Sequence, residues 1–154
     1  LRVVLLGVLA EHKGKHKVLD AIAAAAASDL PIHFHLIGYL GLTDGQMSEA
    51  MAGRFSSTGW YAEDELPRLI EEAQPDVFLF ASTAPETYSF TLTSAMRTGR
   101  PIVAPDHGAY TERLAGYPDA LLFDTRTHGA DLADRLLAFA GEAIGEGATR
   151  HAHA

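Results

Sequence analysis

The chain has 154 residues and a formal net charge of −8, with 20 acidic against 12 basic side chains. One domain of this length can bury a substantial hydrophobic core, whereas a nucleic-acid surface needs a broad basic stripe that this sequence lacks. The sequence contains no cysteine, which excludes disulfides, thiolate metal sites and thiol nucleophiles and fits a reducing compartment.

Six apolar segments alternate with helical patterns along the chain, which is typical of a parallel sheet with helices on both faces. Several segments are apolar nearly throughout, as expected of strands buried on both faces. The sequence therefore predicts a Rossmann-like, doubly wound α/β fold with a six-stranded, mostly parallel sheet. The predicted strands are Arg2 to Gly7, Ile32 to Gly38, Phe55 to Thr58, Asp76 to Ala81, Pro101 to Ala104 and Ala120 to Phe123.

Apolar residues recur at helical spacing between these strands. They predict helices over Lys15 to Ser28, Glu63 to Ala73 and about Gly129 to Gly141, with a short helix near Met47 to Met51. We expect residues 1–141 to form one domain and residues 142–154 a flexible tail. The chain starts in a strand pattern without an initiator Met, so we expect it to be one half of a longer protein that lacks its N-terminal domain here.

Two loops are candidates for a ligand site. In the common doubly wound strand order 3-2-1-4-5-6, a crevice opens beside the carboxyl ends of strands 1 and 4. The loop after strand 1 contains Gly7 and the pair Lys13-Gly14, and the loop after strand 4 contains Pro85-Glu86. We therefore expect these loops to converge on one crevice.

The stretch from Ala84 to Met96 carries the strongest signal. It places Glu86 at a strand-to-helix turn, and a helix is expected to follow at once. Eight residues cover roughly 12 Å along a helix, so Glu86 and Ser94 would contact opposite ends of one extended ligand. The free N–H groups of the first helical turn would face an anionic part of that ligand. That turn is expected around Tyr88, Ser89 and Phe90.

Pro85-Glu86, the following helix and the segment Gly99-Arg100-Pro101-Ile102-Val103-Ala104 together resemble a known family. They are similar to the donor-binding domain of retaining, nucleotide-sugar-dependent glycosyltransferases of the GT-B fold, the group 1 family. The family signature is a Glu, seven further residues and a second Glu, where this chain has Ser94. The loop from Gly7 to Gly14 also resembles the family's first loop, with Val8 at a position where many members have Arg.

This resemblance implies a site for a nucleoside-diphosphate sugar, with Glu86 and Lys13 as its catalytic residues. Glu86 would bond hydroxyls of the transferred sugar, and Lys13 would meet the diphosphate. No metal ion or other cofactor is implied. The implied donor-binding residues are Gly7, Lys13, Trp60, Tyr61, Glu86, Thr87, Tyr88, Ser89, Phe90, Ser94, His107 and Gly108.

Simpler interpretations stay open for several of these residues. Trp60 or Tyr61 would stack on the nucleotide base, or serve as a packing anchor at a loop-helix junction. His107 would bond a sugar hydroxyl or a phosphate, or belong to an ordinary turn. Glu86 would also compensate a helix dipole without any ligand. The pair His12 and His16 lacks a third metal ligand at a fixed spacing, and the pair His33 and His35 fits sheet packing better.

The sequence thus predicts the donor-binding half of a retaining glycosyltransferase, inactive without an N-terminal acceptor-binding domain. Ser94 and Val8 suggest an alternative, a degenerate nucleotide-sugar-binding module without catalysis. A nucleotide-sugar epimerase of the same architecture is a further alternative. No signal peptide or membrane-spanning segment is visible in the sequence, so we expect a cytoplasmic protein. A second expectation is that the full-length enzyme attaches peripherally to the inner membrane.

Overall fold

The computed structural model describes residues 1–152, with side chains described through residue 145. Its centre is a six-stranded sheet in the order β3-β2-β1-β4-β5-β6, in which every neighbouring pair is parallel. This confirms the predicted doubly wound sheet and its switch point between β1 and β4. The strands are β1 (Arg2–Leu6), β2 (His33–Ile37), β3 (Phe55–Ser57), β4 (Val77–Leu79), β5 (Ile102–Pro105) and β6 (Ala120–Phe123).

Helices cover both faces of the sheet, as predicted. On one face α1, α2 and α6 pack with Val3 and Leu5 of β1, and on the other face α3, α4 and α5 pack with Val4. Because successive strand side chains point to opposite faces, a strand buried on both sides must be apolar throughout. The helices are α1 (Lys15–Ala27), α2 (Glu49–Ala52), α3 (Leu66–Ala73), α4 (Phe90–Arg97), α5 (Gly108–Leu114) and α6 (Gly129–Ala152).

Two helix boundaries differ from the predicted ones. Helix α4 begins only at Phe90, because Ser89 at its N-cap has left-handed backbone with φ 62°. Helix α6 continues past Gly141 to Ala152. The residues from Glu142 to Ala152 include three Ala and two Glu, which favour helix, and each interior Gly lowers helix stability by only about 1 kcal/mol. The predicted end at Gly141 was therefore wrong.

The connection between β2 and β3 contains the short helix α2, slightly later than predicted. Ser48 caps it by accepting a hydrogen bond from the Met51 amide at 3.3 Å. Helix α3 follows a 3-10 turn over Glu63–Glu65, and Pro67 lies in its first turn, where a missing N–H costs nothing. Within residues 1–152, no helix combines the length and apolar character that crossing a membrane would require.

Candidate functional site

The loops after β1 and β4 meet at the carboxyl edge of the sheet, as predicted. The amide of Thr83 donates a hydrogen bond to the His12 carbonyl at 3.0 Å. Gly14 has φ 83°, and a Cβ there would lie 1.9 Å from the carbonyl oxygen of Ala81. Only glycine permits this approach, so Gly14 fixes the position of Lys13 relative to the β4 loop.

A cluster of four side chains, Lys13, Ser82, Glu86 and Tyr110, forms where these loops meet; we call it the polar cluster. Three donors converge on Oε1 of Glu86. Lys13 Nζ lies 2.6 Å from it, Ser82 Oγ 2.5 Å and the Tyr110 hydroxyl 2.9 Å. The Glu86 side chain is 16% exposed and that of Lys13 is 38% exposed. The predicted pair Glu86 and Lys13 is thus in direct contact.

The protonation states in the polar cluster follow from its contacts. Burial raises the pKa of the Glu86 carboxyl, but hydrogen bonds from Lys13, Ser82 and Tyr110 outweigh burial, so this pKa lies below its ordinary value. Burial, with the adjacent Glu86 charge, raises the pKa of Tyr110 to about 12. At neutral pH, Glu86 is therefore ionised and Tyr110 is a neutral hydrogen-bond donor.

The loop between β5 and α5 holds the backbone of Glu86 from the other side. The Ala109 amide donates to the Glu86 carbonyl at 2.8 Å, and a Cβ on Gly108 would lie 2.7 Å from that same oxygen. His107 Nε2 lies 3.0 Å from the Ser82 carbonyl, which can only accept, so Nε2 carries the proton. Both predicted residues of this loop, His107 and Gly108, therefore contact the β4 loop.

Two cavities open along this edge. The first, which we call the inner cavity, has a volume of about 250 Å³ and is lined by the whole polar cluster. The second, the outer cavity, has a volume of about 470 Å³. Gly7, Val8 and Thr91 line both, so the two cavities adjoin at the end of β1 and the start of α4.

The outer cavity has an aromatic wall. The rings of Tyr39 and Trp60 stack with centroids 5.0 Å apart and planes 11° from parallel. Trp60 is 74% exposed and Phe90 80% exposed, and Tyr61 also lines the cavity. Ser94 lies on its α4 side, together with Arg97 one turn further along the helix. Planar, accessible rings of this kind can accept a flat ligand by stacking.

Glu86 lies in the strand-to-helix turn, as predicted, but the helical spacing expected from Glu86 to Ser94 is not observed because α4 begins only at Phe90. Glu86 lies in the loop before α4 and lines the inner cavity, whereas Ser94 lies on α4 and lines the outer cavity. Tyr88 and Ser89 precede the helix, so of the three amides expected in the first helical turn only that of Phe90 belongs to it. The two ends of the expected site are therefore separated by a cavity boundary.

Residues 87 to 89 line neither cavity and support the loop instead. Arg113 donates to the carbonyls of Tyr88 and Ser89, both at 2.9 Å, and its guanidinium lies 4.3 Å from the centre of the Tyr88 ring. The Tyr88 ring also packs against Phe90, with centroids 4.9 Å apart. Thr87, His107 and Gly108 also lie outside the linings of both cavities.

Of the two histidine pairs, His12 lines the inner cavity, and the other three histidines lie outside the linings of both cavities. His16 contacts the Glu11 carboxylate at 2.6 Å, and His33 and His35 share the hydroxyl of Ser56 at 2.8 and 2.7 Å. In the part of the chain that the structure describes, no group of three or more potential metal-ligating His, Cys, Asp or Glu side chains occurs.

Several residues that line the two cavities were not predicted as site residues. Among them are Ser82 and Tyr110 in the polar cluster and Glu63 and Arg97 in the outer cavity. Tyr110 lies two residues after Gly108, a predicted site residue. This short distance along the chain is the feature of the sequence that could have identified Tyr110. Ser82 lies in an apolar-to-polar transition after β4 and carries no pattern of its own.

The whole length of the domain matches one known family. Residues 1–141 match the family described as glycosyl transferases group 1. No curated protein matches the chain significantly.

Similar solved structures have the same fold. Anabaena Alr3699/HepE in complex with UDP and glucose is 24% identical with a TM-score of 0.70, over 89% of this chain and 38% of that chain. The C-terminal domain of the glycosyl transferase group 1 protein LpcC from Francisella tularensis is 18% identical with a TM-score of 0.68, over 93% and 76%.

A glycosyltransferase from Rickettsia africae is 13% identical with a TM-score of 0.68, over 94% of this chain and 38% of that chain. The chain thus spans well under half the length of the HepE and Rickettsia proteins. Because the family match extends over nearly all of its sequence, the chain belongs to the glycosyltransferase group 1 family.

Proposed function

We propose that this chain binds a nucleoside-diphosphate sugar across its two adjoining cavities, as the donor-binding domain of a retaining glycosyltransferase. The observation that carries this proposal is that the polar cluster lines the inner cavity while the stacked rings of Tyr39 and Trp60 line the adjoining outer cavity. A nucleotide sugar has the same division, with a polyhydroxyl ring at one end and a planar base at the other.

The sugar fits the inner cavity. The ionised Glu86 carboxylate can accept hydrogen bonds from two sugar hydroxyls, and Ser82 and Tyr110 hold that carboxylate in place. Lys13 supplies the positive charge beside it, and its ammonium can turn from Glu86 toward a diphosphate. Glu86 therefore orients the sugar, and Lys13 stabilises the charge on the leaving diphosphate.

The diphosphate fits the boundary between the cavities. Gly7, which leaves room for close approach of a ligand, lies against Thr91 in the first turn of α4. Backbone N–H groups at a helix N-terminus attract anions because they lack intrahelical partners. Val8 adds no charge at this boundary, so Lys13 and the helix terminus share the neutralisation of the diphosphate.

The base fits the outer cavity, stacked on the rings of Tyr39 and Trp60. The relative Alr3699/HepE has been crystallised with UDP and with UDP-glucose. This supports a nucleoside diphosphate as the ligand class, and UDP as the first nucleotide to test.

In the proposed reaction, the bond between the anomeric carbon and the diphosphate oxygen breaks, and an acceptor hydroxyl forms the new bond on the same face of the sugar. The nucleoside diphosphate departs with the bonding electron pair, and its leaving oxygen takes up the proton that the acceptor hydroxyl loses. An N-terminal domain would supply the acceptor site. This chain contributes orientation and electrostatic stabilisation.

The proposal is tested by calorimetric titration of the 154-residue chain with UDP, GDP, ADP and their common sugar conjugates. We expect one nucleotide family to bind saturably. Lys13→Ala should weaken it about tenfold to a hundredfold, as expected for a lost hydrogen bond between charged groups. Glu86→Ala should abolish the preference for the sugar conjugate over the free diphosphate.

Matched controls separate these effects from general loss of charge. Arg100→Ala removes an exposed cation before β5, at the opposite edge of the sheet, and Glu112→Ala removes an exposed carboxylate on α5. Neither should change affinity. Absence of binding at millimolar nucleotide by both this chain and the full-length polypeptide would contradict the proposal and indicate that the binding site itself is degenerate.

A further inference from the structure

The outer cavity contains one carboxylate that the proposed function has not used. Ser94 offers a single hydroxyl on the α4 side of the cavity. Among the described residues that line this cavity, Glu63 is the acidic one, and it lies at the start of the 3-10 turn before α3. The cavity thus contains an acidic side chain. The family motif places such an acid on α4, at position 94, whereas here it comes from the turn before α3.

The backbone of Glu63 belongs to a 3-10 turn, and its carboxylate has no protein partner among the described residues. Its neighbour Glu65 is engaged, since it accepts the Ala62 amide at 2.8 Å and pairs with Arg68. Within the described part of the chain, no hydrogen bond or ion pair involves the Glu63 carboxylate. Arg97 lines the same cavity without forming an ion pair to it. Engagement of Glu65 fixes the turn, while the side chain of Glu63 stays available to a ligand.

The position of Glu63 within the cavity suggests its partner. Glu63 and Tyr61 line the same cavity, and burial together with the smaller effect of the Glu63 charge raises the pKa of Tyr61, so the carboxylate lies near the place proposed for the base. A nucleotide carries its ribose between base and diphosphate. Ribose presents two vicinal hydroxyls, and a carboxylate can accept from both, whereas the Ser94 hydroxyl has one proton and a short reach.

We infer that Glu63 recognises the ribose of the bound nucleotide, accepting hydrogen bonds from its 2′- and 3′-hydroxyls in place of an acid at position 94. This inference rests on the proposed function. It makes Glu63 a specificity-determining residue that selects ribonucleotides over nucleotides without these hydroxyls.

The test compares UDP, GDP and ADP with their 2′,3′-dideoxy forms, titrated into the unmodified chain, Glu63→Gln and Asp64→Asn. Asp64 is the matched control, because it is exposed, adjacent and absent from the cavity lining. We expect Glu63→Gln to weaken the ribonucleotide about tenfold or more and to leave the dideoxynucleotide unchanged. Asp64→Asn should change neither.

A structural role of Glu63 would lower both affinities together, and that result overturns the inference. Equal affinities of Glu63→Gln and the unmodified chain for the ribonucleotide also overturn it, while Lys13→Ala still weakens binding and the proposed function stands. If neither the unmodified chain nor the full-length polypeptide binds any nucleotide, the proposed function fails and this inference fails with it. In the double variant that combines Glu63→Gln with Ser94→Glu, the new carboxylate on α4 should restore the preference for the ribonucleotide over the dideoxynucleotide.

Discussion

The inner and outer cavities differ in how much of their structure exists before a ligand arrives. In the inner cavity the carboxylate of Glu86 already holds three donors, and Tyr110 is fully buried. In the outer cavity Trp60 and Phe90 are mostly exposed, and few contacts hold their side chains. A preorganised site loses little entropy on binding, whereas exposed rings must be ordered by the ligand. The inner cavity should therefore govern stability, and the outer cavity mainly affinity.

The largest effect should come from breaking the backbone contact beneath the polar cluster. In Gly14→Ala the new Cβ would lie 1.9 Å from the Ala81 carbonyl, at φ 83°. Both the collision and the left-handed backbone oppose the native loop, so we expect a loss of about 3 kcal/mol or more in the free energy of unfolding. Urea denaturation followed by circular dichroism measures it.

Gly45→Ala is the control for backbone conformation alone. Gly45 has φ 81°, nearly the same value, but a Cβ there meets no atom within 4 Å. Gly45→Ala should therefore lower the free energy of unfolding by about 1–2 kcal/mol. Equal losses in the two variants would show that the contact between Gly14 and Ala81 does not hold the loops together.

The next effect is a pH dependence caused by Glu86. Its pKa is lowered in the folded chain, so the carboxylate stabilises the fold above its unfolded pKa, and this contribution disappears as the pH falls through the lowered value. Glu86→Gln should lose about 1–3 kcal/mol at pH 7. The difference from the unmodified chain should shrink as the solution is acidified below about pH 4. Urea denaturation across pH 3 to 7 tests this, and a difference independent of pH would contradict it.

A smaller change should result at Ser89, directly before α4. Ser89 has φ 62°, a conformation that L-residues with a Cβ adopt at a cost of about 1–2 kcal/mol. Ser89→Gly should therefore stabilise the chain by about 0.5–1 kcal/mol after the larger entropy of unfolded Gly is counted. Ser89→Ala keeps the Cβ and should gain nothing from the backbone. Thermal denaturation of both variants distinguishes them, and a gain in Ser89→Ala alone would refute backbone strain.

The smallest effect on stability is expected in the outer cavity. Trp60→Ala should change the free energy of unfolding by less than about 0.5 kcal/mol, because the side chain is mostly exposed. Nucleotide affinity should nevertheless fall about tenfold, since stacking on an aromatic ring contributes about 1–3 kcal/mol per base. Ile144→Ala, an exposed apolar residue on α6, is the control. Unchanged nucleotide affinity in Trp60→Ala would show that the base does not bind in this cavity.

The sheet could be predicted from the sequence because each strand is a short apolar segment between helical patterns. The strand order then brought Lys13 and Glu86 together without any contact information. Glu86, Lys13, Gly108 and Trp60 were found through local patterns, namely a turn, a Lys-Gly pair and loop residues after strands. Their binding roles remain predictions.

The rest depends on contacts that no local pattern encodes. Tyr110 reaches Glu86 only because α5 packs under the β4 loop, and Glu63 and Ser94 line one cavity only because the 3-10 turn before α3 and helix α4 both border it. The late start of α4 depends on the left-handed conformation of Ser89, a residue that disfavours it. Each of these features results from tertiary contacts that local sequence patterns do not reveal.

The central claim, that one ligand occupies both cavities, is tested most directly by nuclear magnetic resonance of the ¹⁵N-labelled chain. UDP, GDP and ADP, each with and without a sugar, are titrated while the indole N–H of Trp60, the single tryptophan, and the amides of Gly14 and Ala109 are followed. The account predicts that one nucleotide shifts Trp60 and Gly14 together, and that adding its sugar further shifts Ala109, whose amide bonds Glu86. Shifts confined to one cavity, or none up to millimolar concentration, would contradict it.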